Sequence, residues 1–290
     1  MRQRKHITIV DAIKDKRLFG PLFPDLTSWS AWMVFLKAVF AIEKMEQKEI
    51  ELYRHCTRRN DPPASCKEAY AIVGRRGGKS RIVSFAATYI ACFYDFRKYL
   101  APGEVGLVLA LARDRDQAKV VFSYIGGIIK SVPALTQMVT AWRADEIELN
   151  NGITIVVKTS DYRAVRGPTV VCCIADEVAF WDSQGVSPDK EIFQALRPAM
   201  ATIPEAKLLV ISSPYAKAGV LFEMHRKYYG HSDPNILIWQ AETRVMNPII
   251  TQEFITKRSR KTPMRQGRNG SLSSVKMSRR HIASKASSNA

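Results

Sequence analysis

Cysteine is scarce and poorly spaced for metal, with five in 290 residues, at positions 56, 66, 92, 172 and 173, and no C-x-x-C pair. That argues against a zinc site and against a disulfide framework. Cys172 and Cys173 fall inside an apolar run and read as small buried hydrophobes. Long hydrophobic runs are also missing. The longest, Ile82 to Tyr94, falls well short of the ~20 residues that a membrane span needs. The basic start Met1–Lys5 precedes an apolar run, Ile7–Val10, that Thr8 interrupts and Asp11 stops, too short for a signal peptide. A soluble, intracellular protein with no membrane partner is the expectation. Acidic residues are absent from positions 257–290, where ten Lys or Arg stand, so ten of the chain's net +17 charges lie in that tail. The hydrophobic share of 46% is ample for one main core.

Glycine, sparse at 15 residues, is concentrated where it matters. Ala69–Ser80 reads Ala-Tyr-Ala-Ile-Val-Gly-Arg-Arg-Gly-Gly-Lys-Ser, an apolar strand running into a glycine-rich turn that ends in Lys-Ser at a helix start. Such a loop aims backbone N–H groups and a helix N-terminus at phosphates. Gly74, Arg75, Arg76, Gly77 and Gly78 would form the cradle, Lys79 would reach the β/γ oxygens of a nucleoside triphosphate, and Ser80 would ligate Mg²⁺. The match to G-x-x-x-x-G-K-[ST] is imperfect, because Val73 stands where the first glycine belongs and Gly74 comes one place late.

Thr169–Ala175 is a continuous apolar run that ends in Asp176-Glu177. Burial on both faces suits a central parallel strand, and its carboxylates then emerge at the C-terminal edge, where ligands of open α/β sheets sit. Asp176 is the candidate Mg²⁺ holder. Glu177 is the candidate base for an attacking water. A third strand, Lys207–Ile211, ends in Ser212-Ser213-Pro214, hydroxyls suited to sensing a γ-phosphate.

Helical periodicity runs from Ser28 to about Gln47, with an aromatic stripe from Trp29 to Phe40 that reads as core or as a surface for stacking adenine. Helices are further predicted over 80–97, from Asp114 or Asp116 to about 130, over 189–197 and over 220–229. Strands are predicted over 105–112 and 236–240, and Asn150-Asn151-Gly152 marks a hairpin between 147–149 and 153–158. Strands alternating with helices predict an α/β fold, a RecA-like sandwich with a mostly parallel sheet and helices on both faces.

Four segments, Gly74–Ser80, Asp161–Gly167, Ile174–Trp181 and Ser212–Pro214, together resemble the ATPase domain of the large terminase subunit of tailed bacteriophages, and Trp29–Ala38 resembles that family's opening helix. The resemblance spans residues 28–255, after an N-terminal arm at 1–27. It implies a motor that hydrolyses ATP with Mg²⁺ to pump double-stranded DNA into a procapsid. A homo-oligomeric ring, a small terminase subunit and a portal are implied partners, in the cytoplasm of a host bacterium. Lys79, Ser80, Asp176 and Glu177 match the family's catalytic positions, and Ser212 and Ser213 match its coupling motif. An arginine finger is expected on the developing phosphoryl charge; Arg75 acting in cis and Arg166 acting in trans both remain open.

Past Phe254 the resemblance implies an acidic helix and a nuclease, whereas residues 256–290 read as a basic, disordered tail with no nuclease. With permitted codons, Lys261–Arg279 read one base earlier becomes Glu-Asp-Pro-Asp-Ala-Ala-Gly-Ala-Glu-Trp-Leu-Ala-Glu-Phe-Arg-Glu-Asp-Val-Glu, similar to what the family places there. A frameshift near residue 257 is the expectation, and the gene sequence tests it. A helicase-like P-loop ATPase and an inactive prophage remnant that only binds ATP or DNA are the alternatives.

Overall fold

Strand β1, Glu68–Val73, lies parallel between β7, Lys207–Ser212, and β8, Ile236–Ala241. The computed structural model describes residues 7–42, 44–159, 167–181, 188–214 and 217–251. Most of the Asp161–Gly167 motif, the candidate Arg166 and the basic tail therefore lie outside the described residues. The remaining strands are β2, Gly106–Ala112; β3, Val139–Trp142; β4, Glu146–Leu149; β5, Ile153–Thr159; and β6, Thr169–Asp176. Among the described residues they form one eight-stranded sheet in the order β3-β4-β5-β2-β6-β7-β1-β8. Only the β3-β4-β5 margin is antiparallel.

Burial on both faces explains why the parallel strands read as unbroken apolar runs. From Val170 to Asp176 every side chain of β6 is buried, Cys172 and Cys173 included. Burial pushes the Cys172 thiol up to about 12 and Cys173 well above its ordinary value, so both are inert thiols packed as hydrophobes. The expected mostly parallel α/β sandwich is present.

Helix α1 spans Ile9–Lys14, α2 Ser30–Val39, α3 Gln47–Thr57, α4 Lys79–Phe93, α5 Arg115–Ser131, α6 Pro133–Thr136, α7 Pro188–Met200, α8 Gly219–Tyr228 and α9 Thr243–Met246. From β1 the chain crosses through α4 to β2 and through α5 and α6 to β3 at the sheet edge, then returns by way of β4 to β5. From β6 it turns back through α7 to β7 and through α8 to β8. Right-handed crossovers then put α4 and α5 on one face and α7 and α8 on the other. Of the two expected caps on α5, the one used is Asp114, which accepts the Gln117 N–H at 2.9 Å.

Two sequence readings are corrected. The helix expected from Ser28 to Gln47 ends at Val39, because Ala41 turns into the left-handed region at φ 51°. A separate helix, α3, starts at Gln47 behind a capping box of Glu46 and Glu49. Thr8 and Asp11 do not merely interrupt an apolar run: they are the two halves of the capping box that opens α1. Residues 9–23 contribute to the same core as the sheet, with Ile9, Ile13, Phe19 and Phe23 buried. Phe19 and Phe23 pack on Phe85 of α4 with ring centroids at 5.3 and 4.4 Å, and Tyr89 donates its hydroxyl to the Ile7 carbonyl at 2.7 Å.

Candidate active site

The register of the central strands brings three C-terminal ends to one edge. Ile72 pairs with Ser212 and Asp176 with Ile211, so the glycine-rich turn after β1, the acidic pair ending β6 and the hydroxyls ending β7 are neighbours. β7 lies between the other two, which makes Ser213 the natural bridge. Lys79 Nζ donates to Ser213 Oγ at 3.1 Å and stands 3.7 Å from Glu177 Oε1. Glu177 in turn accepts the Ser213 N–H at 3.0 Å, the Ser213 hydroxyl at 3.3 Å and the Ser212 hydroxyl at 3.3 Å.

Glu177 holds this position from an uncommon backbone conformation, φ 51° and ψ 43°. A non-glycine residue there stores strain that the surroundings must override. The override is visible: the Glu177 N–H donates to the Ile211 carbonyl at 2.7 Å, and the Trp181 indole N–H takes the Asp176 carbonyl at 2.9 Å.

Asp176 and Ser80 face each other across the same edge, with Ser80 Oγ 3.4 Å from Asp176 Oδ2. The other carboxylate oxygen, Oδ1, is buried and has no hydrogen-bond partner. Among the described residues no group of three metal-binding side chains gathers. A divalent ion that keeps waters and substrate phosphates as its other ligands needs no such group, so one orphaned carboxylate beside one hydroxyl fits Mg²⁺.

Burial, reinforced by the neighbouring Glu177 charge, raises the Asp176 carboxyl to about 6 from its ordinary 3.8. Its charged form therefore opposes folding above pH 6, the penalty builds between pH 3.8 and 6, and it is absent below 3.8. Without metal and nucleotide, Asp176→Asn is expected to stabilise the fold by roughly 3 kcal/mol at pH 8. The gain should vanish near pH 3.5. Melting in EDTA at both pH values checks this.

In the loop itself Gly78 has φ 90°, and a Cβ there would lie 3.1 Å from Trp32 Nε1 and 3.2 Å from the Trp29 ring. A Cβ on Gly77 would meet Val73 Cγ1 at 2.5 Å, and one on Gly74 would meet Thr243 Oγ1 at 2.2 Å. Any side chain on Gly74 or Gly77 would force Thr243 or Val73 to move, and at Gly78 the positive φ itself favours glycine. Arg75 and Arg76 are exposed, and Arg76 also adopts a positive φ, 65°.

Sequence reasoning missed four contributors: Trp32, Trp181, Thr243 and Asn247. Trp32 donates its indole N–H to the Gly77 carbonyl at 2.7 Å, Thr243 Oγ1 reaches the Arg75 carbonyl at 3.3 Å and Asn247 Nδ2 the Arg76 carbonyl at 2.9 Å. The one available signal was Trp32 itself, an indole N–H inside an apolar stripe that must find an acceptor when buried.

A sheet that carries a glycine-rich loop and Lys-Ser at one strand end, and an acidic pair two strands away, defines a P-loop nucleotide-binding fold. The match extends along most of the chain: residues 32–266 fit the family described as uncharacterized protein MJ0330, N-terminal P-loop domain, and the chain belongs to that family. No curated protein matches it. Among solved structures, it is similar to the Thermus phage P74-26 large terminase ATPase domain at 18% identity and a TM-score of 0.52, covering 76% of this chain and 94% of that one. The bacteriophage HK97 large terminase matches at 17% identity and a TM-score of 0.53, covering 77% of this chain and 48% of that one. The chain therefore has the fold of large terminase ATPase domains, as its motifs led one to expect. No helix among the described residues is long and apolar enough to cross a membrane.

Proposed function

We propose that the chain is the ATP-hydrolysing motor domain of a phage DNA-packaging terminase, acting on double-stranded DNA in the host cytoplasm. The observation that carries the reading is the triangle of Lys79, Ser213 and Glu177 at one sheet edge. A cation for the phosphates and a carboxylate for water, joined here by a hydroxyl, suit phosphoanhydride hydrolysis.

In this reading the loop Gly74–Gly78 cradles the phosphates and Lys79 pairs with the transferred group. Glu177 orients the attacking water and accepts its proton. Ser80 and Asp176 would hold Mg²⁺, which would supply neutralisation of phosphate charge. Ser212 and Ser213, hydrogen-bonded to Glu177, would pass loss of the γ-phosphate into β7. Arg75 lies in the loop and would serve as the finger in cis; Arg166 from the next subunit of a ring would serve in trans. The similarity to terminase domains supports a small terminase subunit and a portal on the procapsid as partners.

The test is steady-state ATP hydrolysis with Mg²⁺, with and without linear double-stranded DNA. Hydrolysis stimulated by the duplex is the expected result. Stimulation by single strands alone would favour a helicase-like enzyme, and ATP binding without turnover would favour an inactive remnant.

A further inference from the structure

We propose that Trp32, Thr243 and Asn247 are positioning residues that hold the phosphate loop in its binding shape before nucleotide arrives. The proposal rests on the ATP-binding reading above and concerns groups that touch no substrate themselves.

A cradle for phosphate turns its N–H groups inward, so its carbonyls point outward and need donors of their own. Every carbonyl from Val73 to Gly78 has one. Lys79 Nζ serves Val73 at 2.9 Å and Gly74 at 3.3 Å, and Gly74 also receives the Gly77 N–H at 3.2 Å. The Gly78 carbonyl takes the Ile82 N–H of the following helix at 3.1 Å. The three carbonyls between, those of Arg75, Arg76 and Gly77, are served from outside the loop by Thr243, Asn247 and Trp32 respectively.

These donors come from distant parts of the chain. Trp32 sits on α2, 45 residues before its acceptor, and is fully buried. Thr243 and Asn247 bracket α9, 168 and 171 residues after theirs. Helices α2 and α9 contact each other, so the loop is gripped by one continuous collar. The grip compensates for two departures from the usual loop: Val73 replaces the first glycine, and Arg76 must hold a positive φ without being glycine. Thr243 also occupies the space against Gly74 that a Cβ would need.

If the collar pre-shapes the cradle, its loss weakens phosphate binding and leaves the chemical step nearly intact. Trp32→Phe keeps an aromatic ring but removes the N–H and part of the buried indole, leaving a buried carbonyl without a donor, and is expected to raise the Kd for ATP about tenfold or more. Asn247→Ala, at a partly exposed site, should raise it about three- to tenfold. Titration with a fluorescent ATP analogue, paired with kcat and melting temperature, is the experiment. A raised Kd and KM with kcat changed less than about twofold is the expected split. A residue that merely supports the fold would lower the melting temperature and leave the Kd of the folded protein at wild-type value.

Unchanged Kd in Asn247→Ala, with wild type binding normally, overturns the collar even if Trp32→Phe does not fold. No binding by wild type overturns the nucleotide reading itself, and the collar's purpose with it.

Discussion

Glu177→Gln lowers steady-state ATP turnover at least ~10²-fold while ATP remains bound, the scale set by losing a general base. The substitution keeps size and hydrogen-bonding shape, so the strained backbone at φ 51° has no new reason to relax. What disappears is the proton acceptor and the negative charge 3.7 Å from Lys79. One amide oxygen can still accept the Ser213 N–H that Glu177 Oε2 takes at 3.0 Å. The variant is therefore expected to trap the bound, uncleaved state. Equilibrium binding of ATP beside a phosphate-release assay separates the outcomes: residual turnover within tenfold of wild type would remove Glu177 from the role of base.

Lys79→Met removes both binding and turnover, the latter also by at least ~10²-fold, because the cation on the transferred phosphoryl is an electrostatic group fixed in place before reaction. Its stability effect runs the other way. Burial holds the Lys79 ammonium below its ordinary pKa, and the favourable pull of Glu177 comes second. A lysine whose folded pKa is depressed opposes folding at neutral pH, and the opposition fades as pH rises toward the ordinary value near 10.5. Replacing it with an apolar chain of similar length should leave the melting temperature at pH 7 unchanged or raised. A dead enzyme that melts no earlier than wild type rules out misfolding as the cause. A variant that binds ATP as wild type does would contradict the assignment.

Much of the fold was readable because the parallel strands are buried on both faces, so their sequences are continuous apolar runs with the chemistry written at their ends. Val73, Asp176 and Ser212 needed no distance information; each closes such a run. The end of α2 was not readable in that way. Ile42 and Met45 continue the apolar spacing, yet the chain turns at Ala41, and Lys37 then pairs with Glu49 of α3 at 2.5 Å, a tertiary contact with no local signature. α3 itself was hidden by its charge, since it buries only Tyr53, Cys56 and Thr57. β3 alternates partly buried with exposed residues over four positions, too short to register. Thr243 and Asn247 carry ordinary polar side chains, and only their register against a loop some 170 residues away gives them a role. Arg166 belongs to the residues outside the described part of the chain, so the choice of finger rests with Arg75→Ala and Arg166→Ala assayed separately and mixed.

The residues ahead of position 32, where the family match begins, have a practical meaning for anyone who would move this domain into another protein. Phe19 packs on Phe85 and Phe93, and Phe23 on Phe85, along the helix whose first turn carries Lys79 and Ser80. A fragment cut at the family boundary would present that helix with its aromatic flank bare, inviting self-association before any question of catalysis arises. The inherited sequence pattern and the portable folding unit thus have different borders, and a working graft has to start no later than Ile7, whose carbonyl anchors Tyr89.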